Sequence, residues 1–313
     1  MKLSIVIPCY ASEKFLKNTY EQIEDAMNVA GYDYELILVN DSSPDNTYSV
    51  IKELAEAHNN IIGVNLAKNF GQHGAIMAGL AQTTGELILC MDDDGQTPAS
   101  EIHKLIEGIS DEVDVCYASY EHKQHSNFRN LGTRMNNWMA TTMIGKPKDL
   151  FISSFFVAKR YVIEEMLRYN NAFPYIHGLL LRTTNKIINV PVDHKMREVG
   201  NSGYSLKKLL GLWLNGFTAF SVKPLRVADI IGVLTALAGF IYAIVIAVRR
   251  FVIGDCGSVG WASMTCILLF VGGMQMLLLG LVGEYIGRTY MCMNDSPQYV
   301  IKDMVGNKKD RME

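Results

Sequence analysis

The chain has 313 residues, 49% of them hydrophobic and 19% charged, with a formal net charge of −3. This length accommodates one large domain or two ordinary ones, and the weak negative charge excludes a general attraction to nucleic acid. The six cysteines, at positions 9, 90, 116, 256, 266 and 292, show neither CxxC spacing nor a metal-finger pattern. Most lie in apolar runs and read as reduced packing residues of a domain facing the cytosol.

In chain order, Leu3 to Pro8 is an apolar run of strand length, too short for a signal core, and no small-residue cleavage site follows it. A helix is predicted from Glu13 to Ala30, with Phe15, Leu16, Ile23 and Met27 as its apolar positions. Tyr34 to Val39 is a second strand, ended by the polar cluster Asn40 to Asn46, and a helix then runs to about His58. Ile61 to Leu66 is a third strand, Gln72 to Thr83 a helix, and Glu86 to Met91 a fourth strand. A helix near Ser100 to Ile109 and a strand Val113 to Ala118 follow. Short strands alternating with longer helices predict an α/β domain, with a mainly parallel sheet covered by helices on both faces, through roughly residue 200.

Ser205 to Phe217 carries apolar residues at helical spacing with paired lysines and a tryptophan. It suits a helix in a membrane interface, and equally an ordinary amphipathic helix packed on the domain. Ile230 to Val248 has no charged residue for 19 positions and Trp261 to Gly283 none for 23. Both are close to the ~20 residues a membrane helix requires, so a two-helix membrane hairpin is expected over a buried hairpin of a soluble core. The loop Arg249 to Gly260 is short, which places both chain ends on one side. Lys207, Lys208, Lys223 and Arg226 before the helices, with Arg288, Lys302, Lys308 and Lys309 after them, favour a cytosolic side for those ends, against the opposing pair Arg249-Arg250.

The chemistry concentrates in Asp92-Asp93-Asp94-Gly95-Gln96, directly after the fourth strand. A sheet delivers these carboxylates to its carboxyl edge, where open α/β sheets bind ligands. Crowded like charges are costly unless a cation or solvent relieves them. Oxygen ligands of this kind suit Mg²⁺ or Mn²⁺, which also takes oxygens from a substrate diphosphate. A solvated acidic turn with Gly95 at its corner is the competing reading. Asp41 is open in the same way, since it could instead cap the following helix. His73 reads as a surface histidine at a helix start.

Several motifs in order resemble glycosyltransferase family 2, in its polyprenyl-phosphate branch, which includes dolichol-phosphate mannose synthase and bacterial undecaprenyl-phosphate sugar transferases. They are Ile7-Pro8-Cys9-Tyr10, Val39-Asn40-Asp41-Ser42-Ser43, Asn69 to Ala75, Asp92 to Gln96 with Pro98, Arg197 to Tyr204, Gly283 to Arg288 and Pro297 to Ile301. The resemblance implies a GT-A type catalytic domain over 1–204, a juxtamembrane segment over 205–226, a transmembrane hairpin over 227–288 and a cytosolic tail over 289–313. It also implies that Asp94 and Gln96 bind the metal, Asp94 counting as catalytic, with Asp92 on metal or ribose. Pro8, Tyr10 and Asp41 would hold base and ribose, with Asn69 and Asp93 also on the donor side.

A lipid phosphate is largely ionised near neutral pH and needs no strong base; it needs cations to hold it in line with the anomeric carbon. The resemblance nominates Arg129, Arg134 and Arg197, with Ser202 and Tyr204 as donors. Asp149 is implied as a base or sugar-orienting carboxylate. Three positions depart from the family pattern. Ala118-Ser119-Tyr120 stands where many relatives have Arg, which leaves Lys123 as a replacement phosphate contact or none. Ser154 replaces a glycine and would narrow the sugar pocket. Asp93 replaces a small residue, adding a carboxylate without an assigned role.

The expected activity is inverting transfer of one sugar from a nucleotide sugar to polyprenyl (undecaprenyl) phosphate at the cytosolic face of the inner membrane. A UDP-sugar is favoured, with a GDP-sugar as the other option, and self-association of the two spans is compatible with it. A processive polysaccharide synthase fits less well, because no Q-x-x-R-W segment is present and two spans are few. An inactive membrane-tethered nucleotide-sugar binder predicts a damaged metal motif, whereas Asp92, Asp94 and Gln96 are all in place.

Overall fold

The computed structural model describes residues 1–93, 97–120, 141, 145–193, 223–248, 252, 260–294 and 296–306. Among these, eight strands form one sheet: β1 (Lys2–Cys9), β2 (Asp33–Asn40), β3 (Ile61–Leu66), β4 (Leu87–Cys90), β5 (Val115–Ser119), β6 (Phe156–Lys159), β7 (Ile187–Pro191) and β8 (Ile301–Gly306). Their order is β7-β5-β6-β4-β1-β2-β3-β8. The pairs β1–β2, β1–β4, β2–β3 and β5–β7 are parallel, while β6 runs antiparallel between β4 and β5, and β8 antiparallel beside β3. The sheet is therefore mixed but mostly parallel. Its central strands are continuous apolar runs rather than alternating ones because both faces are covered; Ile5, Val6 and Ile7 are all fully buried.

The covering helices are α1 (Leu16–Ala30), α2 (Thr47–Ala57), α3 (Gln72–Leu80), α4 (Ile102–Glu107, entered through the 3₁₀ turn Ala99–Glu101), α5 (Arg160–Leu167) and α6 (Ile176–Thr183). In α1 the buried positions Leu16, Tyr20, Ile23 and Met27 fall on one face, the stripe of a helix lying on a core. By contrast, α3 buries every residue from Gly74 to Leu80. It lies so close to β1 and β2 that a Cβ on Gly79 would come within 2.5 Å of Val6 Cγ1 and 2.9 Å of Val39 Cγ2. Cys9, Cys90 and Cys116 are buried free thiols, as expected, and burial raises the pKa of each.

The predicted elements as far as Ala118 are present, with several ends shifted by up to three residues. α1 begins at Leu16 instead of Glu13, because the chain first closes a turn in which the Phe15 and Leu16 amides both donate to Ser12 O, at 3.0 and 3.1 Å. Three strands are absent from the sequence reading. β6 and β7 complete one side of the sheet, and β8 turns part of the expected tail into the edge strand on the other.

The chain divides into two compact units, residues 1–204 with 295–313 and residues 205–294. The second contains α7 (Lys223–Val248) and α8 (Trp261–Met293). Ile230, Val233, Leu237 and Phe240 of α7, and Met264, Leu268, Phe270, Leu279 and Ile286 of α8, are exposed. Within α8, Phe270–Met293 is long and apolar enough to cross a membrane, with mean hydropathy 1.4; α7 offers the shorter apolar stretch Ile230–Tyr242.

Gly79→Ala should lower stability by about 1–3 kcal/mol, the usual cost of forcing extra volume into a packed core. Thermal unfolding of the full chain in detergent checks this, with Gly272→Ala, where a Cβ meets nothing within 4 Å, as the unaffected control.

Candidate active site

β1 lies at the centre of the parallel strands, with β2 on one side and β4 on the other. The strand order reverses here, and open α/β sheets hold ligands outside the carboxyl ends of the strands at such a point. β1 runs past its last register pair with β4, Val6 to Cys90, before reaching Pro8. Beyond that end a missing backbone N–H costs the β4 ladder nothing. Ala11 (φ 57°) and Ser42 (φ 53°) then turn the chain in the left-handed region just after β1 and β2. Non-glycine residues adopt that region at a cost, and such strain collects where chain direction matters for function.

A line of polar groups ties these strand ends together. Asn40 Nδ2 donates to Asn65 Oδ1 at 2.8 Å, Ser43 N to Asn40 Oδ1 at 3.2 Å, and Ala11 N to Ser43 Oγ at 3.2 Å. Asp41 is only 3% exposed. Its Oδ1 accepts from Phe70 N at 2.7 Å and its Oδ2 from Gly71 N at 2.9 Å. Asn69, exposed beside them, donates to Asp41 O at 3.2 Å. Burial raises the Asp41 pKa above the usual carboxylate value, and the two amides oppose that shift. The helix-cap alternative for Asp41 is thus corrected: its carboxylate reaches across to the loop after β3, while Asp45 accepts from Thr47 N and Oγ1 at the start of α2, at 3.2 and 2.6 Å.

The acidic tip of β4 splits in two directions. Asp92 Oδ1 accepts from Gln72 Nε2 at 2.8 Å, and Asp92 Oδ2 accepts from Ser154 Oγ. Asp93 turns toward the segment after β1, where its Oδ2 accepts from Ser12 Oγ and from Tyr10 N at 3.4 Å; its carbonyl takes the Thr19 hydroxyl at 3.2 Å. Asp93, whose role the sequence left open, therefore anchors the β1–α1 connection. Tyr10 is 54% exposed just past the carboxyl end of β1.

Among the described residues no group of three or more His, Cys, Asp or Glu assembles for a metal. Asp94 and Gln96, the other metal ligands expected from sequence, lie outside the described residues, as do Arg129, Arg134, Arg197, Ser202, Tyr204 and Lys123. The donors present, carboxylate oxygens at a strand tip, are of the hard type that fits Mg²⁺ or Mn²⁺.

Other groups gather around α3 and β6. His73, the second residue of α3, stacks edge-on against Tyr175 (5.1 Å between centroids) and His177 (6.0 Å). Tyr117 Oη lies 3.0 Å from His177 Nδ1. His73 is thus packed among aromatic rings and not a surface side chain as expected. Burial lowers its pKa to about 4. Burial, with His73 nearby, lowers that of His177 to about 3. Asp149 is exposed in the turn that follows Pro147. Next to it, buried Lys146 donates through Nζ to Leu150 O and, at 3.2 Å, to Pro147 O. Asn189 on β7 holds both backbone groups of Phe151, each at 2.7 Å, and so fixes the segment carrying Asp149. A lone Asn in an edge strand has no spacing signal by which sequence reasoning could have found it.

Both histidines have folded pKa values below the ordinary 6.5, so the unfolded chain takes up protons first as pH falls. Their stabilising effect is complete above about pH 6.5 and is lost progressively from there toward pH 4. His73→Phe should reduce the pH dependence of stability in that window by about one proton, ~1.4 kcal/mol per pH unit. Denaturant titrations across the window measure it.

The chain is similar to known proteins along nearly its whole length. Residues 4–167 match glycosyl transferase family 2, and residues 223–289 match the GtrB C-terminal hairpin. The chain is 34% identical over 310 residues to the undecaprenyl-phosphate 4-deoxy-4-formamido-L-arabinose transferase of Proteus mirabilis (strain HI4320), covering 98% of this chain and 95% of that one. It is 35% identical over 307 residues to the protein of the same name from Yersinia enterocolitica serotype O:8, covering 97% and 94%. Its fold resembles that of mannosyl-3-phosphoglycerate synthase from Rubrobacter xylanophilus, with a TM-score of 0.51 at 17% identity over 72% of this chain and 74% of that one. With a domain match over half its length and relatives along nearly all of it, the chain belongs to glycosyltransferase family 2, on the GT-A fold.

Proposed function

We propose that this glycosyltransferase moves one sugar from a nucleotide sugar, a UDP-sugar by preference, to undecaprenyl phosphate, with inversion at the anomeric carbon. The observation that carries the reading is the acidic tip of β4 at the strand-order reversal, held from both sides by Gln72 and Ser154, in a chain similar along its length to undecaprenyl-phosphate sugar transferases. A 4-deoxy-4-formamido-L-arabinosyl donor is the first sugar to test.

In this reading Asp92, Asp94 and Gln96 hold Mg²⁺ or Mn²⁺, which when bound supplies Lewis-acid stabilisation of the departing diphosphate. Tyr10 offers its exposed ring to the base, with Pro8 and Asn69 beside it. Asp41 acts at one remove, through the amides of Phe70 and Gly71 that set the position of Asn69. Asp93 keeps Tyr10 in place through its backbone N–H. Arg129, Arg134 and Arg197, with Ser202 and Tyr204, bind the acceptor phosphate and align it with the anomeric carbon. Asp149 orients the sugar or takes a proton.

The membrane assignment draws on the return of the chain. β8 pairs with β3 inside the same sheet as β1, so residues 301–306 and 1–193 share one compartment, and the intervening segment crosses a bilayer an even number of times. α7 and α8 are the two crossings, with the catalytic unit on the cytosolic side of the inner membrane.

The test is a panel of radiolabelled nucleotide sugars incubated with membranes and undecaprenyl phosphate, with and without EDTA. Label should enter the organic phase only with metal. Asp94→Ala should abolish transfer, and Arg134→Ala should mainly raise the KM for the acceptor. Full turnover by Asp94→Ala would exclude the metal assignment. Independently, a green fluorescent protein fused after Glu313 should fluoresce, and an alkaline phosphatase inserted after Gly260 should be active; the reverse pattern would overturn the orientation.

A further inference from the structure

Asp92 stands at the end of a four-residue strand beside a second carboxylate, where repulsion and free side-chain rotation would both spread its oxygens over many positions. Two elements remove that freedom. Gln72, at the first turn of α3, reaches Oδ1 at 2.8 Å, and the Ser154 hydroxyl reaches Oδ2. The backbone on either side of Ser154 is itself fixed. Phe155 N donates to Ser153 Oγ at 3.2 Å, Phe155 O accepts from Ala118 N at 2.9 Å, and the Phe155 ring is fully buried. The hydroxyl therefore arrives at Asp92 from a rigid segment leading into β6. The preceding clamp by Asp41 does the same for Gln72, since it holds the two residues immediately before it, Phe70 and Gly71.

We infer that Ser154 is a positioning residue for the donor site: with Gln72 it orients the Asp92 carboxylate before the ligand arrives, and thereby sets the affinity for a divalent cation bound together with a nucleoside diphosphate. Hydrogen bonds to a ligating carboxylate fix its orientation, and losing one typically costs 10- to 100-fold in metal affinity or activity. The glycine expected here from family resemblance could not make this bond. In this chain the extra hydroxymethyl group thus adds a tether to Asp92 as well as taking up space beside it. The inference deepens the donor-site reading of Asp92 and rests on it.

The experiment uses the full chain purified in detergent, titrated with Mn²⁺ in the presence of UDP, with free Mn²⁺ read by electron paramagnetic resonance. Ser154→Ala and Ser154→Gly should weaken Mn²⁺ binding in the presence of UDP by about 10- to 100-fold without lowering the melting temperature. In the transfer assay they should raise the donor KM by a larger factor than they lower kcat. Ser154→Thr, which keeps the hydroxyl, should restore binding. Gln72→Ala reads the same carboxylate from its other oxygen, and should weaken binding too. The double variant should lose less than the product of the single effects, because both groups act on one carboxylate. Unchanged Mn²⁺ binding by Ser154→Ala, with the unaltered protein binding normally, overturns the inference alone. An unaltered protein that binds no Mn²⁺ with UDP overturns the donor-site reading along with it.

Discussion

The buried carboxylate of Asp41 holds the amides of Phe70 and Gly71, and much of the site depends on that clamp. A carboxylate taken out of water is costly unless its oxygens are satisfied, and charge-assisted hydrogen bonds are among the stronger available. Here the two oxygens take two successive backbone N–H groups, which fixes the direction in which the chain leaves β3. That direction decides where α3 begins, and so where Gln72 can reach. Asp92 is then held at the tip of β4 by a residue whose place was set one strand away. The site is a consequence of how β1, β2 and β3 end, and Asp92 and Asp93 at the tip of β4 are its last components.

The sheet treats carboxylates differently at its two edges. At the amino edge, Glu35 is buried between Ser4 Oγ (2.6 Å), Thr84 Oγ1 (2.8 Å) and Lys2 Nζ (3.1 Å). Burial raises its pKa, but these bonds outweigh that and leave it lowered overall. Asp114 is held in the same way by Tyr161, Lys159 and Thr184. Those groups fasten the sheet to neighbouring segments. At the carboxyl edge the balance is reversed for Asp41, where burial exceeds the hydrogen bonds. Asp92 and Asp93 diverge, one toward α3 and β6 and the other toward the β1–α1 connection, which relieves their mutual repulsion by geometry. One of the pair thereby serves the scaffold, and the other stays at the tip of β4 between Gln72 and Ser154.

The legible parts of this structure were local ones. β1 to β5 and the helices between them follow from apolar runs and helical spacing, and the acidic tip from its position after a strand. The ordered motifs carried the family. Pairings across long stretches of chain were not legible. β6 is a four-residue strand whose antiparallel place between β4 and β5 is decided by partners roughly forty to seventy residues away. β8 follows two long helices, and its partner β3 lies well over two hundred residues earlier. Side-chain tethers were hidden for the same reason. Nothing around Ser154 or Asn189 in sequence announces that one will meet Asp92 and the other Phe151.

The late arrival of β8 has a physical consequence. Without it, β3 would be an open sheet edge, with unpaired backbone groups that invite association with other chains. The residues that close this edge lie after α8, and so do those that buttress the loop before α3. Val300 O accepts from Ala67 N at 2.8 Å, and Gln298 Nε2 donates to Tyr169 O. The Gln298 carbonyl passes so close to α3 that a Cβ on Gly74 would come within 3.1 Å of it. These contacts form only once the helical hairpin has been synthesised, because domains fold in the order in which their segments emerge. The loop that receives the Asp41 clamp therefore gains its final support last. Completion of the loop before α3 thus waits on the residues that follow the two long helices.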